Sequence, residues 1–102
     1  TGECRIIEGG DGIVLYGGSG NIIRNNIVYG SAGNGIRVVQ DTAVSNTPNA
    51  IYNNTIYRNE LSGIYTSAAS NDMTIIKNNI SYLNATRAGV PIAGGAASNN
   101  LT

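Results

Sequence analysis

Apolar residues in this chain come in runs of a few residues, broken by Gly, Asn and Ser, and within each run they alternate with other side chains. Alternation with period two marks a strand with one buried face, and no window sustains the 3.6-residue period of a helix. The pattern also repeats along the chain. Asn25-Asn26, Asn53-Asn54, Asn78-Asn79 and Asn99-Asn100 each precede a short aliphatic or Thr-bearing segment, and the second Asn recurs at intervals of 28, 25 and 21 residues. A second marker, Gly followed by an aliphatic, a variable residue and then an aliphatic or Thr, begins at Gly12, Gly35, Gly63 and Gly89. The two markers stay in phase: Asn26 to Gly35 and Asn54 to Gly63 are each nine residues, and Asn79 to Gly89 is ten.

A unit of this length with only four Leu residues in the chain does not fit a leucine-rich repeat. Three short strands and three corners per unit describe a three-sided parallel solenoid. The chain is therefore read as all-β, a single-stranded parallel β-helix of about four coils with three short strands in each. In the clearest coil the strands are Asn49–Tyr52, Thr55–Tyr57 and Gly63–Thr66. A variable connection over Ser67–Asp72 takes up the differences in repeat length. Coils stack about 4.8 Å apart, the ordinary spacing of paired strands.

Period-two alternation then assigns faces. Ile51 with Ile56, Ile23 with Val28 and Ile76 with Ser81 point inward. So do Ile13, Leu15, Ile36, Val38, Ile64, Thr66, Val90 and Ile92 on the Gly-led strand. Asn26, Asn54, Asn79 and Asn100 form a ladder inside one corner, where each carboxamide bonds to the coil above and below, and either Asn of a pair takes up positive φ. Asn59 and Asn84, with Ser31 in the equivalent place, begin a lesser ladder at the next corner.

The motifs Ile51-x-x-Asn54-x-Ile56 and Gly35-Ile36-x-Val38 resemble the right-handed parallel β-helix repeats of pectate-lyase-like and NosD-like proteins, over nearly the whole chain. The resemblance implies the right-handed sense and a secreted or periplasmic, carbohydrate-related setting. It also implies that a polysaccharide, where one is bound, lies along the outside of the Gly-led strand, whose outward column is read as Val14, Arg37, Tyr65 and Pro91. Lyases of this architecture need carboxylates converging on calcium, and its hydrolases need three Asp on adjacent coils of one face.

Composition and charge remove several classes of function. Six basic and six acidic residues cancel, with no run of one sign, so nothing suggests nucleic acid as a partner. The longest apolar runs are too short to cross a bilayer, and no signal peptide stands in the sequence. There is no His, which removes His-activated nucleophiles and His-ligated metals. The single Cys4 excludes an internal disulfide and reads as a small, partly buried strand residue.

The acids Glu3, Glu8, Asp11, Asp41, Glu60 and Asp72 fall one or two to a coil, in different connections. Asp11 reads as a turn residue, and Asp41 as the opening of the longest loop and a surface partner of Arg37. No catalytic residue, metal or cofactor is assigned. What remains for ligand binding is the outward residues Arg37, Tyr65, Tyr29, Tyr57 and Tyr82. The stacked tyrosines either meet sugar rings or simply cover their sheet. Arg24, Tyr52 and Lys77 make a further outward column. Asn53, Asn79, Asn84 and Asn100 begin N-x-Ser/Thr sequons, which the repeat already explains.

The sequence thus reads as one domain over residues 1–102, a fragment or uncapped module of a longer solenoid. Its expected role is a non-catalytic scaffold or assembly module, with self-association through open ends. A lyase or hydrolase fragment and a glycan-binding module are the alternatives.

Overall fold

A computed structural model describes residues 10–18, 20–39, 48–67 and 74–102. Its strands follow the bursts of β-branched residues. They are β1 Ile13–Tyr16, β2 Ile22–Arg24, β3 Ile27–Tyr29, β4 Ile36–Val39, β5 Asn49–Tyr52, β6 Thr55–Tyr57, β7 Ile64–Thr66, β8 Thr74–Lys77, β9 Ile80–Tyr82, β10 Ile92–Ala93 and β11 Ala96–Ser98. They pair in parallel as three sheets: β1-β4-β7-β10, β2-β5-β8-β11 and β3-β6-β9. Each strand therefore pairs with the strand three places on, which is the connectivity of a parallel β-helix. The described residues hold three complete coils, β2-β3-β4, β5-β6-β7 and β8-β9-β10, with β1 before them and β11 after. That is nearer three coils than the four expected.

The interior is a column of small aliphatic side chains. Ile36, Val38, Ile51, Ile56, Ile64 and Ile76 are fully buried and Val28 nearly so, with Ile13, Leu15, Ile23 and Ile92 packed against them. Each such side chain removed from water contributes roughly 1.5–3 kcal/mol. Strand register stacks like on like: Ile36 pairs with both Ile13 and Ile64, and Ile51 with both Ile23 and Ile76. Thr66 and Ser81 also face inward and are buried, as the alternation requires.

The corner between the second and third sheets is made by the Asn-Asn pairs. The first Asn of each takes positive φ (59° at Asn25, Asn53 and Asn78, 53° at Asn99), a region that Asn enters at less cost than most residues. The second Asn forms the expected ladder. The Asn54 Oδ1 accepts from Asn26 N and Nδ2 at 3.0 and 3.1 Å. The Asn79 Oδ1 accepts from Asn54 N and Nδ2, each at 3.0 Å. The Asn100 Oδ1 accepts from Asn79 N and Nδ2 at 2.9 and 3.0 Å. The lesser ladder also forms: Asn59 Oδ1 accepts from Ser31 N, and Asn84 Oδ1 from Asn59 N and Nδ2.

Glycine begins the first-sheet strands because the chain passes too close to the core for a side chain. A Cβ on Gly35 would lie 2.5 Å from Ile56 Cγ2 and 2.6 Å from the Gly63 carbonyl oxygen. One on Gly12 would meet Val28 Cγ1 at 2.5 Å.

The fourth repeat departs from expectation. Ile92, not Val90, pairs with Ile64, and Ala93, not Pro91, pairs with Tyr65. Val90 is consequently exposed rather than inward. The cause is a longer connection between Asn84 and the first sheet. Its extra residues fold back over the coil beneath, with Ala85 N donating to Leu61 O and both Arg87 N and Ala88 N donating to Glu60 O. Gly89 belongs to that excursion, and Pro91 takes the place of Gly63, its carbonyl accepting from Ile64 N and Ser81 Oγ.

Candidate functional site

The strand-to-strand register places Arg37 and Tyr65 side by side on the outer face of the first sheet, as expected. A groove of about 480 Å³ runs beside them, lined among others by Asp11, Ser62, Arg87 and Gly89. It exists because of the longer connection in the fourth repeat, which raises Arg87 and Ala88 as a wall over the corner where the other coils stay low. Arg87 is held there by its Nε, which donates to Glu60 Oε1 at 3.1 Å, and by its Nη2, which donates to Ala32 O.

The expected pair of Arg37 with Asp41 lies outside the described residues. Among the described residues Arg37 pairs with Asp11: Arg37 Nη1 donates to Asp11 Oδ2 at 3.2 Å. The two side chains differ sharply in exposure, 38% for Arg37 and 3% for Asp11. Asp11 is buried because it heads a ladder that the sequence does not reveal. Its Oδ1 accepts from Asn34 N at 2.7 Å and from Asn34 Nδ2 at 3.0 Å. Asn34 Oδ1 then accepts from Ser62 N, and Ser62 Oγ from Val90 N, each side chain serving the coil after it. Asp11, Asn34 and Ser62 share a position but no residue type, so no marker repeats. The signal that would have found them is position alone: each lies one residue before a glycine that opens a first-sheet strand.

The groove therefore presents two guanidinium groups and a phenol to solvent, while its carboxylate is turned inward with both oxygens engaged. Ionised donor–acceptor pairs of this kind fix geometry as well as contributing energy. Arg37 and Tyr65 come together here. Tyr29, Tyr57 and Tyr82 lie on the third sheet instead, in register with one another. Tyr29 and Tyr57 stack with ring centroids 5.0 Å apart and planes 11° from parallel. Their facing surfaces are covered by each other, while Tyr29 remains 63% exposed. Arg24, Tyr52 and Lys77 stand in register on the second sheet, away from the groove.

A second hollow of about 430 Å³ near Pro91, Ala97 and Asn100 carries no ionisable side chain. Among the described residues no three of His, Cys, Asp or Glu lie close enough together to hold a metal ion, and no helix is long and apolar enough to cross a membrane. Glu3, Glu8, Asp72 and Cys4 fall outside the described residues.

Compared with known proteins, residues 3–102 match a family model described as a right-handed beta helix region. No curated protein and no solved structure matches the chain.

Proposed function

The chain belongs to the right-handed β-helix family, and from that premise we propose that it serves as a non-catalytic β-helix scaffold in an extracytoplasmic, carbohydrate-related protein. The observation that supports this most is the state of Asp11. It is the carboxylate that lines the groove, yet it is 3% exposed and accepts three hydrogen bonds. A general base or nucleophile needs a lone pair directed at substrate; here Asp11 is directed at Asn34 and Arg37. Incubation with neutral and uronic-acid polysaccharides, followed by assay of reducing ends and unsaturated products, should give no turnover. Turnover that Asp11→Asn abolishes would overturn the reading.

A second reading, non-catalytic glycan binding, draws support from the meeting of Arg37, Tyr65 and Arg87 on one groove. Guanidinium and phenol groups are suited to hydroxyl-rich or acidic sugars through directed hydrogen bonds and ring contact. Calorimetric titration with oligosaccharides should then show binding that Arg37→Ala and Tyr65→Ala each weaken at least tenfold. Binding unchanged in both variants, or no binding by the parent chain, removes this reading and leaves the scaffold.

A further inference from the structure

The four N-x-Ser/Thr sequons are equivalent in sequence and unlike in the fold. At Asn79 both amide hydrogens are in use: Nδ2 donates to Ile51 O at 2.9 Å and to Asn100 Oδ1 at 3.0 Å, and the residue is 1% exposed. At Asn84 the nitrogen donates to Ile56 O and Ser81 Oγ, both at 2.9 Å. At Asn100 it donates to Ile76 O while the oxygen accepts from Asn79. A sugar on any of these nitrogens would have to occupy the inside of a corner and break the ladder that closes it. Asn53 is the exception. It stands at the apex of its corner, exposed, with φ of 59° carrying its side chain away from the ladder that Asn54 enters. Its backbone N–H and carbonyl are bonded to Lys77 O and Asn25 N, and the carboxamide makes no hydrogen bond to the described residues. The residues that flank it along the corner, Asn25 and Asn78, are equally exposed and begin no sequon.

We propose that Asn53 is an N-glycosylation site, and that of the four sequons it alone is compatible with the folded coil. In the transfer, the Asn53 amide nitrogen forms a bond to C1 of an oligosaccharide carried on a lipid diphosphate. The C1–oxygen bond to the diphosphate breaks, the lipid diphosphate leaves with the electron pair, and one amide proton is lost to base. No oxidation is involved. The enzyme meets Asn53-Asn54-Thr55 before β6 forms, and folding then sorts the products, because among chains carrying a glycan at one sequon only the one modified at the apex can close its ladder.

The inference rests on the extracytoplasmic reading for its natural setting. The test separates the two, since a leader added for expression carries the chain into a eukaryotic secretory pathway whatever its own destination. Secreted, protease-resistant protein is mapped by peptide mass spectrometry before and after removal of N-glycans. The expected result is a glycan at Asn53 and none at Asn79, Asn84 or Asn100. Asn53→Gly, which keeps the positive φ accessible, and Thr55→Val, which leaves Asn53 in place, should each abolish it and still yield folded protein. A glycan at any of the other three positions in the folded fraction, or an unmodified Asn53 in the parent chain, would overturn the proposal.

Discussion

Two corners of the same coil solve the same problem with different success. Between the second and third sheets, Asn26, Asn54, Asn79 and Asn100 pass hydrogen bonds from coil to coil without a break. Where the first sheet leads into the second, the ladder starts in the same way, with Asn49 Oδ1 accepting from Asn21 N at 3.0 Å and Nδ2 at 3.1 Å. The next coil places Thr74 in register with Asn49. Its Oγ1 is fully buried and has no hydrogen-bond partner among the described residues. A threonine hydroxyl reaches one bond less far than a carboxamide oxygen, and at Thr74 it meets no partner on the coil beside it among the described residues.

The difference follows connection length. The complete corner joins strands through two residues in every coil, so each Asn meets the same geometry. The other corner receives connections that run from 16 to 22, 39 to 49, 66 to 74 and 93 to 96. At that corner no two connections have the same length, and the ladder stops there. A buried polar group left without a partner costs about 1–3 kcal/mol.

The largest effect is expected where the ladder is whole. Asn54→Ala removes the acceptor for Asn26 and the donor to Ile23 O, Tyr52 O and Asn79 Oδ1. A loss of about 3 kcal/mol in urea unfolding is expected, since several buried partners are orphaned together. Gly35→Ala probes the third corner, which is crowded rather than polar; overpacking against Ile56 and Gly63 should cost about 2 kcal/mol. Asn53→Ala tests the apex of the complete corner. A positive-φ alanine costs about 1 kcal/mol, whereas Asn53→Gly should be close to neutral in the same experiment. Arg87→Ala should be smallest, below about 0.5 kcal/mol, because its pair with Glu60 is exposed at 61% and 49%.

The complete corner was legible in the sequence because one residue type recurs at the position that needs it, next to a partner suited to positive φ. From Asn54 the strands of that coil follow, and Thr55–Tyr57 and Asn49–Tyr52 stand where the alternation puts them. The first sheet was legible only while connection lengths held. Gly89-Val90 imitates the Gly-aliphatic marker, and nothing in a pattern of single residues shows that the chain has folded back over Glu60 before β10 begins. The groove was illegible for the same reason. Arg37 and Tyr65 were visible as neighbours in a column, but Arg87 reaches them through that excursion, and Asp11 through a ladder of Asp, Asn and Ser with no common residue type.

A carboxamide at the ladder position, rather than the identity of the corner, decides how firmly a coil is closed. Urea unfolding of Asn54→Thr and Thr74→Asn, measured side by side with the parent chain, tests it directly. Thr and Asn are close in volume, so the exchange alters bonding more than packing. The prediction is opposite signs: Asn54→Thr loses about 2 kcal/mol and Thr74→Asn gains about 1 kcal/mol as Asn49 finds its partner. Destabilisation by both substitutions, or no effect from either, would contradict it.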